Sequence, residues 1–489
     1  MYQRNELPMN AIASVGQQFL SKHRIVHLDL KGAAPKLHFI KEFFRFIARF
    51  NATGVLIEWE NMFPFKGELA VVRSKDAYSE ADVRQMQQWA SDFRLEIIPL
   101  VQTVGHLEWI LKHPTFRQLR EDDRYPQVIC LSNPQAMRLV KMAIDQVMDL
   151  QSDVITYFHI GADEAFQVRA NCSYETDRST AVFNAVIDIA DYVKVKYNKK
   201  ILMWHDMLQN IDPSVMKEYN LGNLVEPVVW AYAESLDEYL LPEVWSHFRE
   251  VFPFIWGASA FKGADGANRY HSNIVHYLQN HISWISQMNR EHSKFEEFRG
   301  IFLTGWQRYD HFGVLCELLV VGMPSLAVNL LTLQRGFYDS RIDVEIGKLL
   351  NCKTPFRVSE TVNDCDFPGS TIYYNIQAFY ITQSRLTEDL YEDHARRGWL
   401  GQMNLYYNYS SPWYLNQLLD KSRGYVSALK ENANGLEASL PTVYFPDTVT
   451  EFMFEYIDPV LNRLYKMVNA LYFLLPRLCT YDFNCRCVA

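Results

Sequence analysis

From Arg24 to about Leu333, short and almost wholly apolar runs alternate with longer stretches whose apolar residues return every three or four positions. The runs are Ile25–Leu30, Gly54–Glu58, Leu95–Val101, Ile155–Ile160, Ile201–Trp204, Pro227–Trp230, Phe252–Trp256 and Gly300–Thr304. Strands that stay hydrophobic at successive positions are buried on both faces, as parallel strands covered by helices must be. The stretches between them carry helix signals. Leu37, Ile40, Phe43, Ile47 and Phe50 share one face, and Ser79 with Asp82 makes a capping pair ahead of Val83 and Met86. Asn133-Pro134 supplies a cap and a first turn.

Eight such units predict an α/β fold, a (β/α)8 barrel over residues 24–335 preceded by an N-terminal extension, residues 1–23. A doubly wound open sheet is the alternative, but no glycine-rich phosphate loop follows the first strand. Beyond Arg335 the strand pattern stops. Ile376–Arg397, Tyr414–Ala433 and Thr448–Leu475 read as helices, the last with Thr448 and Glu451 placed as a capping box. Residues 336–489 are therefore expected to be an all-helical C-terminal region. The apolar stretch Phe312–Leu331 contains Glu317, Pro324 and Asn329, which predicts a buried helix pair rather than a membrane span.

Composition narrows the class. With 48% hydrophobic residues, wholesale disorder is excluded. A net charge of −9 without basic blocks argues against nucleic acid, whose binding needs clustered Lys and Arg. Cys130, Cys172, Cys316, Cys352, Cys365 and Cys479 stand in unrelated contexts, which suits a reducing compartment. Cys485-Arg486-Cys487 lacks the second pair of a zinc site. The apolar patch Ala11–Val15 is too short for a signal peptide, so a cytoplasmic or nuclear protein is expected, with unused sequons at Asn51, Asn171 and Asn408. No cofactor and no metal site are expected, and monomer and homodimer both stay open. Aromatic residues reach 14%, enough to look for exposed rings as well as buried ones.

In such a barrel the chemistry sits at the C-terminal strand ends. Those ends read Asp29-Leu30-Lys31, Glu58-Trp59-Glu60, Gln102-Thr103-Val104-Gly105-His106, His159-Ile160-Gly161-Ala162-Asp163-Glu164, Trp204-His205-Asp206, Glu226 to Tyr232, and Trp306 to Asp310. Carboxylates alternate with tryptophans. Aromatic platforms stack on the apolar face of a sugar ring, and carboxylates bind hydroxyls and move protons, so a carbohydrate site is predicted. His205-Asp206 and Asp310-His311 lack ligand spacing for a metal.

The run His159 to Glu164 resembles the His-x-Gly-x-Asp-Glu motif of glycoside hydrolase family 20, the exo-β-N-acetylhexosaminidases. Val104-Gly105-His106 stands where that family has Pro-Gly-His, and Glu60 to Pro64 resembles its acidic segment. Trp204, Trp230 and Trp306 match the tryptophans that enclose its sugar. Val26 to Gly32, with Asp29 and Lys31, and Leu303 to His311, with Tyr309 and Asp310, are similar as well. The pattern departs in three places: Gly32 stands where an arginine is common, Arg308 where an acid is, and Gln102 where an aspartate is. The resemblance implies hydrolysis of terminal non-reducing N-acetylgalactosamine or N-acetylglucosamine from glycoconjugates, with retention. Glu164 would be the general acid and Asp163 would polarise the 2-acetamido group, whose oxygen attacks the anomeric carbon. An ionised Asp163 is expected to raise the pKa of Glu164. His106 and His159 would lie at or near the sugar, and Tyr232 is a candidate donor to the acetamido oxygen. Two alternatives remain: a retaining glycosidase with Glu226 as nucleophile, and a non-catalytic sugar-binding barrel.

Overall fold

The computed structural model describes residues 19–168, 172 and 178–475. The patch Ala11–Val15, the sequon asparagine Asn171, and Cys479, Cys485 and Cys487 lie outside the described residues. In chain order the strands are β1 (His23–Asp29), β2 (Gly54–Glu58), β3 (Glu96–Leu100), β4 (Arg120–Asp122), β5 (Tyr125–Ile129), β6 (Tyr157–His159), β7 (Lys200–Trp204), β8 (Val225–Trp230), β9 (Phe254–Lys262) and β10 (Glu297–Gly305). All but β4 and β5 form a closed parallel barrel in the order β1-β2-β3-β6-β7-β8-β9-β10, and β10 returns to β1. The predicted α/β barrel is the observed fold. β4 and β5 make a separate antiparallel hairpin, which gives no apolar run because β4 is Arg120-Glu121-Asp122 and only Val128 and Ile129 of β5 are buried aliphatics.

The barrel interior is filled, not hollow. Ile25, Leu56, Ile98, Leu100, Leu202, Trp204, Val228, Trp256 and Phe302 form one cluster inside the strands. A second, larger cluster lies between the strands and the surrounding helices, where Phe43, Phe44 and Ile47 of the helix Leu37–Arg49 are fully covered or nearly so. That two-sided burial is why the strands read as continuous apolar runs. Both helix-start signals hold. Ser79 and Asp82 make a reciprocal capping box, and Asn133 accepts from Gln135 N at 2.9 Å with Pro134 in the first turn.

Four readings of the sequence need correction. β9 runs on to Lys262, well past Trp256, because small residues such as Ala258, Ser259 and Ala260 give little local strand signal yet pair along β10. Phe312–Leu331 is not a helix pair: loop and a 3-10 turn lead into one helix, Met323–Arg335. Thr448 and Glu451 do not cap, since Pro446 already opens that helix, and both reach back to the barrel mouth. Four of the cysteines taken as unrelated form the disulfides Cys130–Cys172 and Cys352–Cys365, which withdraws the support that separate thiols lent to a reducing compartment.

The C-terminal region is helical, built on Ser370–Leu386, Pro412–Ser439 and Asp458–Leu474. It docks on the barrel through a bridge between Pro35 and Tyr444 and through Tyr444 OH, which accepts from Val320 N. No helix among the described residues is long and apolar enough to cross a membrane.

Candidate active site

At the C-terminal ends of the strands a cavity of about 240 Å³ is lined by Lys31, Glu58, Gln102, His106, Asp163, Glu164, Trp204, Trp230, Tyr232, Gly263, Ala264, Trp306 and Tyr309. Register explains part of this convergence. Asp29 pairs with Glu58 across β1 and β2, and Leu100 with His159 across β3 and β6, so the chain turns outward at one level. The turns are tight. Glu60, His106, Ala162 and Glu164 all adopt positive φ, the left-handed region that side-chain-bearing residues enter at a cost of about 1–3 kcal/mol each. Such strain concentrates where side-chain direction matters more than stability.

Asp163 and Glu164 stand beside His106. Its Nε2 lies 3.2 Å from Glu164 Oε2 and 3.5 Å from Asp163 Oδ2, and its Nδ1 lies 4.0 Å from Glu108 Oε1. Burial alone would depress the imidazole, but the carboxylates overcome it and hold His106 up at about 10. Burial pushes Asp163 up to about 7, with His106 pulling the other way. Asp163 is the more enclosed of the two carboxylates, its side chain 10% exposed against 39% for Glu164. Glu164 is anchored through its backbone: its N–H donates to Asp206 Oδ2 at 2.8 Å. Asp206 Oδ1 also accepts from Trp230 Nε1 at 3.2 Å, so one carboxylate positions both Glu164 and an aromatic wall.

The floor is an ionic cluster. Lys31 Nζ lies 3.3 Å from Asp29, 3.6 Å from Glu58 and 3.2 Å from Glu60, and 5.6 Å from the Trp306 ring centre. Burial disfavours the ammonium, but three carboxylates keep its pKa well above the ordinary lysine value. Burial would raise Glu58, yet Lys31 and a 3.0 Å contact with His27 hold it below the usual range. Behind Trp306, the buried Lys262 donates to the Trp306 carbonyl at 2.6 Å and to that of Glu317 at 2.9 Å. Burial lowers this amine to about 8.

Tyr232 stacks on Trp230 at 5.4 Å, and Trp204 stands 6.2 Å from Trp306, closing the aromatic walls. Among the lining residues, Gln102 Oε1, Asp163 Oδ1 and Trp204 Nε1 are buried without a protein partner. Buried polar groups are normally satisfied, so three orphans around one cavity mark a place where a polar ligand would complete them.

Of the residues singled out from the sequence, Asp163, Glu164, Lys31, His106, Trp204, Trp230, Tyr232, Trp306 and Tyr309 line the cavity. Asp29 and Glu60 stand beneath it: Asp29 accepts from Gln307 N at 2.8 Å, and Glu60 pairs with His311. His159 is fully buried under Trp204, ring centres 4.5 Å apart, and burial lowers it to about 3. Asp310 accepts from the N–H groups of Phe312 and Gly313 within its own loop. His205 accepts from Trp230 N. Sequence reasoning placed Glu58 at a strand end without giving it a role, and it passed over Lys262, Gly263 and Ala264. The last three were missed with the end of β9, and a carboxylate closing a buried strand was the signal for Glu58.

Glu226 lies elsewhere. It is the second residue of β8, so it sits toward the end of the barrel opposite the cavity, accepting from Trp256 Nε1 at 2.7 Å and Arg299 Nε at 2.8 Å. Counting Glu226 with the C-terminal end of this strand, although it precedes Pro227, had put it at the rim. No protein nucleophile comes from there.

A model of the glycosyl hydrolase family 20 catalytic domain matches residues 55–235. Hexosaminidase D of Homo sapiens is 33% identical over 462 residues, covering 92% of this chain and 94% of that protein. The chain belongs to glycosyl hydrolase family 20. Hexosaminidase D of Bos taurus is 39% identical over 341 residues, covering 67% of this chain and 96% of that protein. The family 20 β-N-acetylhexosaminidase from Streptomyces coelicolor has a TM-score of 0.49 at 14% identity, covering 69% of this chain and 72% of that one. The family match begins at β2 and ends past β8, so it spans the strands that supply Asp163, Glu164, Trp204 and Trp230.

Proposed function

We propose that this chain is an exo-β-N-acetylhexosaminidase that removes terminal non-reducing N-acetylgalactosamine or N-acetylglucosamine from glycoconjugates, with retention of configuration. One observation carries the mechanism: Asp163 and Glu164, consecutive in sequence, line the same small cavity walled by Trp204, Trp230 and Trp306. Two carboxylates on adjacent residues are poorly placed to attack opposite faces of one sugar. Glu164 protonates the departing glycosidic oxygen, and the substrate's own acetamido oxygen attacks the anomeric carbon. Asp163 accepts the amide N–H and stabilises the positive charge that develops as the ring closes, an interaction strongest in the transition state. The tryptophans hold the acetamido methyl and keep water away until the leaving group has gone. Glu164 then acts as base for the water that opens the cyclic intermediate.

Matched aryl β-glycosides test the reading. The N-acetylgalactosamine and N-acetylglucosamine compounds should be hydrolysed and plain galactose should not, because it lacks the internal nucleophile. Comparable cleavage of galactose would overturn substrate assistance. Glu164→Gln should lower turnover by about 10²–10⁴ on substrates with poor leaving groups and much less on those that leave unprotonated. A uniform, small loss across leaving groups would remove Glu164 from the acid's role.

A further inference from the structure

Helices of the C-terminal region reach the mouth of the cavity. The helix Pro446–Phe452 lies against two rim loops: Thr448 Oγ1 donates to the Gly32 carbonyl at 3.1 Å, and Glu451 Oε2 accepts from Arg308 Nη2 at 2.6 Å. Just beyond, Tyr456 OH donates to the Leu315 carbonyl. Arg308 belongs to the loop after β10, between the cavity residues Trp306 and Tyr309. That loop is closed at its base by Cys316 N–H, which donates to the Gln307 carbonyl at 2.7 Å. Arg308 braces its middle, with Nη1 donating to the Gly313 carbonyl at 2.9 Å.

The guanidinium fills the space above Gly32. A Cβ at that position would stand 2.2 Å from Arg308 Nε, and Gly32 has a φ of +80°, a conformation that favours glycine. The Arg308 side chain is only 11% exposed and its Nε has no partner. A guanidinium so enclosed is costly without a counter-charge, and Glu451 is the carboxylate bonded to it.

We propose that Glu451 is a positioning residue for the sugar site: through Arg308 it holds the 306–316 loop, and hence Trp306 and Tyr309, in the binding geometry. This rests on reading the cavity as the sugar site. Because Glu451 acts on the walls and not on the proton-transfer groups, its loss weakens substrate binding more than chemistry.

The test is steady-state kinetics on an aryl N-acetylhexosaminide, with calorimetric binding of free N-acetylgalactosamine and thermal melting of each variant. Glu451→Ala and Arg308→Ala should each raise KM, and weaken binding of the free sugar, about fivefold, with kcat within twofold of the parent. The double variant should be no worse than either single, and Glu451→Asp should recover part of the loss. Unchanged KM with a lowered melting temperature would show a merely structural contact, and additive effects would show that the two residues act separately. Either result overturns the proposal. A parent chain that binds the sugar without hydrolysing it would overturn the catalytic reading alone. One that does neither would overturn both.

Discussion

His106 is the residue on which the two carboxylates meet. Burial pushes Asp163 up to about 7, and the His106 cation is the largest influence pulling it down. The proposed mechanism uses Asp163 ionised, so activity is lost as pH falls through its pKa. Removing the cation raises that pKa further. His106→Gln should therefore shift the acidic limb of kcat/KM to higher pH, read from a full pH profile on one aryl substrate. A limb that stays in place or moves down would show that Asp163 does not control it. Residue types and spacing were enough to single out Asp163, Glu164 and His106 in the sequence. The raised proton affinity of Asp163 was not legible there, because enclosure by neighbouring strands decides it.

Among the elements, the turn after β3 shows how strand ends become a site. A Cβ on Gly105 would stand 2.2 Å from the Asp163 carbonyl, so the two rim segments approach too closely for any side chain there. Gly105→Ala should push the Asp163 segment outward, lowering kcat/KM by about 10²-fold although both carboxylates remain. Overpacking should also cost about 1–3 kcal/mol of stability. Kinetics alongside chemical denaturation would check both, and near-normal kcat/KM would show that the turn relaxes freely. Strand positions were legible where both faces are apolar, as in β2, and failed where small residues dilute the pattern, as in β9. The hairpin of β4 and β5 escaped because β4 is wholly polar and the apolar part of β5 is only two residues long, Val128 and Ile129.

For the whole molecule, the barrel divides catalysis from stability by end. Glu226 and Arg299, each 9% exposed, pair away from the cavity mouth. Glu226→Leu leaves Arg299 with only Glu297 as a carboxylate partner, and should destabilise the fold by about 3 kcal/mol while kcat on the remaining native enzyme stays unchanged. Denaturant unfolding with active-site titration would check this, and a collapse of kcat in folded protein would revive Glu226 as a catalytic group. The eight-unit barrel and the run from His159 to Glu164 are properties of the sequence itself, since periodic burial and a carboxylate pair behind a buried strand are local signals. Which end of β8 Glu226 occupies, which cysteines meet, and that Glu451 from the C-terminal region reaches Arg308 across 143 positions were decided only by tertiary structure. Those contacts join segments far apart in the chain, and no pattern within either segment carries the address of the other.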